Sequence, residues 1–311
     1  MAMKLNPNKN VPGAGGNTAE KLFLDKTAEK EESYLHMIIR RFLKHKLAVS
    51  GLVVFALIIL IALLAPVLSP YDPARSFNEF EAAPSAAHLL GTDPVGRDVM
   101  SRLVYGSQVS VIVGIGAVAI YVVIGVVLGL LAGYFGKWVD MIIMRLTDVF
   151  MSFPYFMVIL VLVSIIGPSL FNITFVIGLL GWPAIARLVR GSVLSIKEMD
   201  YVKAGVALGY STPKILFQHI LPNAMAPILV NATFGVASAI IMEASLSFLG
   251  MGVRPPAASW GNMLTQAESI TVLSSQPWLW IPPGLMIFLA VLSVNFIGDG
   301  LRDAIESQNS K

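Results

Sequence analysis

Long charge-free runs of apolar residues dominate the chain. Residues 47–71, 109–136 and 149–186 contain no Asp, Glu, Lys or Arg. A helix needs ~20 mainly apolar residues to cross the hydrocarbon core of a bilayer. Lipid offers no hydrogen-bond partner to a backbone, so a helix must satisfy its own peptide groups there. The pattern therefore predicts a bundle of membrane-spanning helices.

The 149–186 run is too long for one helix, and Gly167-Pro168-Ser169 divides it, because glycine and proline favour turns. Two further apolar stretches follow, and the last opens with Trp278 and Trp280, which suit a membrane interface. Six spans are predicted, at about 47–68, 107–134, 140–166, 172–192, 223–249 and 278–298.

The amino-acid composition agrees with a membrane protein and excludes several other classes of protein. Hydrophobic residues make up 56% of the 311 residues and charged residues only 13%, about half the ~25% of a soluble domain. A soluble enzyme and a basic nucleic-acid binder are both excluded. The chain has no cysteine, which removes disulfides and thiolate chemistry, and its four histidines are not spaced as metal ligands.

Lysine and arginine predict the orientation. Of the 22 in the chain, almost all fall in the segments that would share one side of the membrane. The four on the other side are Arg75, Arg97, Arg102 and Arg254. By the positive-inside rule both termini and the 195–222 loop are expected to be cytoplasmic, and the 69–105 and 251–276 loops to be outside.

The two ends of the chain are polar. Residues 1–33 predict a disordered tail, and 306–311 form a second short tail. Residues 34–46 alternate apolar and basic positions, which is typical of an amphipathic helix lying on anionic lipid. A basic flank that only orients the first span fits the same residues equally well.

Small and polar residues inside the spans carry two further predictions. Gly125, Gly129 and Gly133 share one helix face, which favours close helix packing over the alternative of a gating hinge. Glu243 lies within the fifth span, where a carboxylate could contact a cationic cargo or a gate, or could be bonded to polar neighbours at a helix interface. The structural role is the favoured one.

The residues weigh against three other functions for this chain: an ATPase, an ion-coupled carrier and an intramembrane hydrolase. Gly136-Lys137 is followed by Trp138, so no Walker A loop is present and any ATPase must be another chain. An ion-coupled carrier would need relay groups within the membrane, but Glu243 is nearly alone. No internal repeat supports a self-contained carrier. An intramembrane hydrolase would need a serine–histidine pair or an aspartate pair at depth, and no histidine lies within a predicted span.

The 195–222 loop is unusually apolar for a cytoplasmic segment. Its local chemistry predicts two short helices. Gly209 would end the first in a left-handed cap, Thr212 would cap the second ahead of Pro213, and Leu221-Pro222 would stop it. Such an element suits a groove on a partner, although resting on lipid would explain the same pattern.

A resemblance separates these alternatives. Lys203-Ala204-Gly205, Gly209 and, after nine intervening residues, His219-Ile220-Leu221-Pro222 resemble the "EAA" coupling loop of ABC importer permeases. Lys203 stands where glutamate is usual, Gly205 where the second alanine is usual, and His219 where isoleucine is usual. Residues 88–102 and 243–252 resemble the C-type subunit of the dipeptide, oligopeptide and nickel branch.

The resemblance implies an all-α type I importer fold in a bacterial or archaeal inner membrane. The implied partners are a homologous second permease, two ATP-binding subunits, an extracytoplasmic peptide-binding protein and membrane lipid, with no nucleic acid. ATP and magnesium would be bound by the partner subunits, and this chain would hold no cofactor or metal and catalyse no reaction. Nickel or another small solute is the alternative cargo, and an ion-coupled carrier the more distant one.

The resemblance also assigns site residues. The ATPase-coupling site would comprise Tyr201, Val202, Lys203, Ala204, Gly205, Leu208, Gly209, His219, Leu221 and Pro222. The candidates for docking the binding protein, or for bracing the outer loop, are Asp93, Arg97, Asp98 and Arg102. In the bracing alternative, the first three of these would pair with one another.

Overall fold

The computed structural model describes residues 34–306, so the predicted tail at 1–33 and nearly all of that at 306–311 lie outside the described residues. Within 34–306 the chain is helical, with two isolated β-bridges and no β-strand. The helices are α1 (Tyr34–Lys44), α2 (Lys46–Leu63), α3 (Ala65–Leu68), α4 (Val99–Phe135), α5 (Lys137–Met151), α6 (Tyr155–Ile166), α7 (Leu170–Ile196), α8 (Asp200–Ala207), α9 (Thr212–Lys214), α10 (Leu221–Phe248), α11 (Trp260–Leu264), α12 (Ile270–Ser275) and α13 (Pro277–Glu306).

Helices α2, α4, α7, the continuous rod of α9 and α10, and α13 are each long and apolar enough to cross a membrane. The pair α5 and α6 supplies a sixth crossing if it counts as one span, but its axes bend by 81°. The predicted span over 140–166 therefore consists of two helices joined at a bend. Pro154 causes the break, because it lacks a backbone N–H and disfavours helical geometry at Phe153.

Helices α4 and α7 run side by side in the same direction and form the centre of the core. A Cβ added to Gly125, Gly129 or Gly133 would lie 2.6 Å from the Cβ of Ile185, Val189 or Val193, respectively. The packing is reciprocal. A Cβ added to Gly178 of α7 would lie 2.7 Å from the Cβ of Ile120 on α4. The predicted packing role of the glycine repeat is confirmed.

The helical backbone continues from α9 into α10 without interruption. A π-helical turn, Ile215–Ile220, joins α9 to α10, and the N–H of Leu221 bonds to the carbonyl of Leu216. The prediction that Leu221-Pro222 ends a helix is wrong, because the wider turn accommodates a residue that cannot donate a hydrogen bond. The N-cap position of the second helix is Ser211 rather than the predicted Thr212, and the Ser211 side chain makes no capping hydrogen bond.

The N-terminal helix α1 covers most of the predicted 34–46 surface helix. Its Ile39 and Leu43 side chains are exposed, and Arg41 donates to the carbonyl of Ala304 on α13. His45 accepts from the N–H of Ala48 and thereby caps α2. The helix is thus fixed to the bundle while Ile39 and Leu43 stay exposed, and its place on lipid remains a prediction.

Candidate functional site

The short helix α8 carries five of the ten predicted coupling residues, and a glycine ends it. Gly209 adopts φ +75°, in the left-handed region that favours glycine. The N–H of Tyr210 bonds to the carbonyl of Gly205, and that of Gly209 to the carbonyl of Val206, both at 3.0 Å. These two bonds form a Schellman motif. The predicted left-handed cap is confirmed, and it turns the chain sharply towards α9.

The two faces of α8 have different surroundings. Val202 is buried and belongs to the same apolar cluster as Ile215 and Ile220 of the π turn. On the other face, Tyr201 is 44% exposed, and at the C-cap Leu208 is 73% exposed. Lys203 and Ala204 are also exposed. Helix α8 is therefore fixed to the bundle on one side and presents uncovered apolar side chains on the other.

Tyr210 connects α8 to the rod that follows, a role that the sequence analysis missed. A Cβ on Gly205 would lie 3.3 Å from its ring, so a small residue at position 205 lets the ring approach the helix. The ammonium of Lys214 lies 3.5 Å from the ring centroid, and the ring of His219 stacks on it at 5.7 Å. Two of the departures from the usual loop pattern, Gly205 and His219, thus contact the same tyrosine.

The third departure, Lys203, forms a local ion pair. Its Nζ lies 3.0 Å from Oε2 of Glu198, just before α8. The hydrogen bond and the charge of Lys203 together lower the pKa of the Glu198 carboxyl. Both side chains are exposed, so the pair lies at the surface beside the start of α8.

A cavity of about 500 Å³ opens beside α7 and α10. Its wall holds Tyr121, Tyr155, Asn231, Phe234 and Ser238, and no Asp, Glu, Lys or Arg is among its lining residues. The bend between α5 and α6 brings Tyr155 to this wall, where its hydroxyl donates to the carbonyl of Ile177 at 2.8 Å. The cavity therefore offers aromatic surface and neutral hydrogen-bonding groups.

The 69–105 loop lies at the opposite end of the bundle from α8, and buried polar contacts hold its shape. Asp98 caps α4 by accepting from the N–H and the hydroxyl of Ser101, at 2.7 and 2.6 Å. Its other oxygen lies 2.9 Å from Nδ1 of His88. Because this carboxylate is 1% exposed, the structure places Asp98 within the loop rather than on its surface.

Asp93 contacts the other two predicted residues of this loop, Arg97 and Arg102. It accepts from Nε of Arg97 at 2.8 Å, and Arg102 Nε lies 3.6 Å from the same oxygen. Asp93 and Arg102 are buried. The expected mutual pairing of Asp93, Arg97 and Asp98 is only partly right, because Asp98 pairs with His88 and Ser101 instead. His88 lies ten residues before its partner Asp98, yet no local pattern singles it out.

Glu243 is fully buried near the end of α10. The hydroxyl of Ser247 donates to its Oε1 at 2.6 Å, and that of Ser110 on α4 donates to Oε2 at 3.2 Å. A further serine, Ser259, donates to the hydroxyl of Ser247 at 3.4 Å. Glu243 is absent from the lining of the 500 Å³ cavity. The carboxylate thus joins α10 to α4 through hydroxyl groups.

The five or six apolar helices of the described residues form a multi-pass membrane bundle with an uncharged cavity and an exposed apolar face on α8. A family model described as "binding-protein-dependent transport system inner membrane component" matches residues 125–311. A second, described as "N-terminal TM domain of oligopeptide transport permease C", matches residues 33–86. The chain belongs to this family of inner membrane permease subunits of ABC importers, as its resemblance predicts.

Several curated relatives cover most of the chain. A dipeptide transport system permease protein of Alkalihalophilus pseudofirmus is 43% identical over 265 residues, which is 85% of this chain and 86% of the relative. A glutathione transport system permease protein of Pectobacterium atrosepticum is 42% identical over 86% of this chain and 89% of its own. An oligopeptide transport system permease protein of Bacillus subtilis is 38% identical over 92% and 94%.

Proposed function

We propose that this chain forms half of the translocation pathway of an ATP-driven importer of dipeptides and oligopeptides. A homologous second permease would complete the pathway, two ATP-binding subunits would hold ATP and magnesium, and an extracytoplasmic binding protein would deliver the peptide. The names of the relatives support peptide as the cargo. In this proposal both termini and α8 are cytoplasmic, as the distribution of lysine and arginine predicts.

The observation that carries the proposal is the uncovered face of α8. Tyr201 and Leu208 expose apolar surface at the end of the bundle that the charge distribution places in the cytoplasm. Water does not stabilise such a face, whereas an apolar groove on another protein would. The ATP-binding subunit is the partner whose groove this helix would enter, and Gly209 sets the angle at which it does so.

The same geometry provides a path for motion. Helix α8 packs through Val202 on Ile215 and Ile220, which begin the rod that continues to Phe248. The wall of the 500 Å³ cavity includes Asn231 and Phe234 of that rod. A displacement of α8 by its ATP-binding partner would therefore move one wall of the cavity, which is the rigid-element coupling expected of a two-state transporter.

Replacing one exposed leucine tests the assignment. Leu208→Asp should reduce co-purification of the ATP-binding subunits, and with it ATP-dependent peptide uptake into proteoliposomes, by more than tenfold, since a charge would enter an apolar interface. Leu89→Asp is the matched control, because Leu89 is 60% exposed in the 69–105 loop, and it should retain the subunits. Uptake by this chain alone on an ion gradient would contradict the proposal.

Glu243→Gln tests whether the buried carboxylate contacts cargo. Because Glu243 bonds to Ser110 and Ser247 and does not line the cavity, uptake of cationic and neutral peptides should fall by the same factor. Competition between a lysine-containing dipeptide and an alanine dipeptide in one vesicle preparation measures this ratio. A selective loss of the cationic peptide would instead assign Glu243 to the pathway.

A further inference from the structure

A second, smaller cavity lies at the end of the bundle that holds the 69–105 loop. Its volume is about 190 Å³, and its wall combines that loop, the first turns of α4, the segment after α10 and α11. The charged residues in the lining are Arg97, Arg102, Arg254 and the single acid Asp93. Positive groups therefore outnumber negative ones in this wall.

Arg102 is the buried cation of the cavity, and its partners are distant. The side chain is 4% exposed, yet its guanidinium reaches the carbonyl of Pro256 at 3.4 Å, Oδ1 of Asn262 at 3.5 Å and Asp93 at 3.6 Å. A guanidinium has five N–H donors, and a buried charge is costly unless it is well paired. Several donors of Arg102 are left with weak bonds.

Asp93 cannot supply the missing bonds, because other groups already occupy its oxygens. It accepts from Nε of Arg97 at 2.8 Å and from the N–H groups of Val95 and Arg97 at 2.9 Å. Glu243 lies behind Ser247, and its oxygens accept from serine hydroxyls. The acids on both sides of the cavity are thus engaged.

Arg254 adds a third positive charge to the wall of the cavity. It is exposed, and within residues 34–306 it forms no ion pair. A cavity with low-dielectric walls and surplus charge of one sign concentrates ions of the other sign. Arginine also binds carboxylates with two parallel hydrogen bonds.

We propose that this cavity is a carboxylate-binding site that receives one acidic side chain of the extracytoplasmic binding protein when that protein docks. Cavities that hold a whole small-molecule ligand are ~300–1,000 Å³, so a space of about 190 Å³ fits a single carboxylate group rather than a peptide. Arg254 attracts the acid and Arg102 holds it at depth. The inference rests on the proposed function, which places this end of the bundle outside the cell.

The test measures equilibrium binding of the purified binding protein to the full transporter complex in nanodiscs. Arg254→Gln should raise the dissociation constant at least tenfold and make it less sensitive to salt, because one charge contact is removed. Arg102→Lys, which keeps the charge but loses the planar fork, should also weaken binding. Arg75→Gln is the control, since Arg75 is exposed in the same loop but does not line the cavity, and it should bind as the unmodified complex does.

The following outcomes distinguish failure of the carboxylate-site inference from failure of the proposed function. If Arg254→Gln weakens binding only of the peptide-loaded form and not of the peptide-free form, the carboxylate belongs to the cargo and the inference is overturned. Equal dissociation constants for Arg254→Gln and Arg75→Gln would overturn it as well. If the unmodified complex neither binds the binding protein nor couples ATP to uptake, the proposed function itself has failed.

Discussion

Gly209→Pro should abolish ATP-dependent uptake, with a loss of at least tenfold, while the membrane bundle still assembles. Proline cannot adopt the φ of +75° found at this position, and it removes the N–H that bonds to Val206. Without its cap, α8 would extend or unwind, and Tyr210 would leave its place between Lys214 and Gly205. Co-purification of the ATP-binding subunits and peptide uptake are the measurements.

The chain offers a close match for the control. Gly167 also ends a helix with positive φ, at +89°, donates its N–H to the carbonyl of Val163, and has open space around it. Gly167→Pro causes the same local damage at the opposite end of the bundle, so it should leave the ATP-binding subunits attached. Unimpaired uptake by Gly209→Pro with those subunits bound would contradict the coupling role of α8.

Gly129→Val should destabilise the bundle by about 3 kcal/mol or more, which is the upper part of the range for overpacking a core. The added Cβ would lie 2.6 Å from the Cβ of Val189 and 2.7 Å from the backbone carbonyl of Ala186. A backbone carbonyl cannot move aside as a flexible side chain can, so α4 and α7 would have to separate. The midpoint of thermal unfolding in detergent should fall by many degrees.

Gly191→Val provides the comparison for this change. Gly191 is an exposed residue of α7 with nothing within 4 Å of an added Cβ. The same substitution there should leave the unfolding midpoint nearly unchanged, since valine costs a helix no more than glycine does. If both variants unfold at the same temperature, close packing is not the role of the glycine repeat, and the hinge alternative gains support.

Sequence patterns predicted what depends on residues close together in the chain. The spacing of Gly125, Gly129 and Gly133 places them on one helix face whatever the partner is, and Gly209 has a local reason to end a helix. The break at Pro154 is equally local, because the residue before a proline disfavours a helix. The charge-free run around Pro154 favours one uninterrupted span instead, and this signal conceals the break.

What sequence reasoning missed depends on residues far apart in the chain. Arg102 donates to the carbonyl of Pro256 and to the amide oxygen of Asn262. No local pattern links Arg102 to these distant positions. The stacking of His219 on Tyr210 also needs the π turn, which aligns the two rings and which a regular helical periodicity does not reveal. Several helices form the wall of the larger cavity beside α7 and α10. The absence of charged residues from that wall follows from how these helices pack and cannot be read from one segment.

Helix α4 joins the two ends of the molecule in one piece. Its 37 residues give a length of about 55 Å at ~1.5 Å per residue, against a hydrocarbon thickness of ~30 Å. Its first turns hold Arg102, and Lys197 of the segment before α8 donates to the carbonyl of Gly133 near its other end. Such a rod acts as a lever arm: a tilt of about 10° would shift its ends by about 10 Å relative to each other. Spectroscopic labels at either end would then report a single event on both membrane faces.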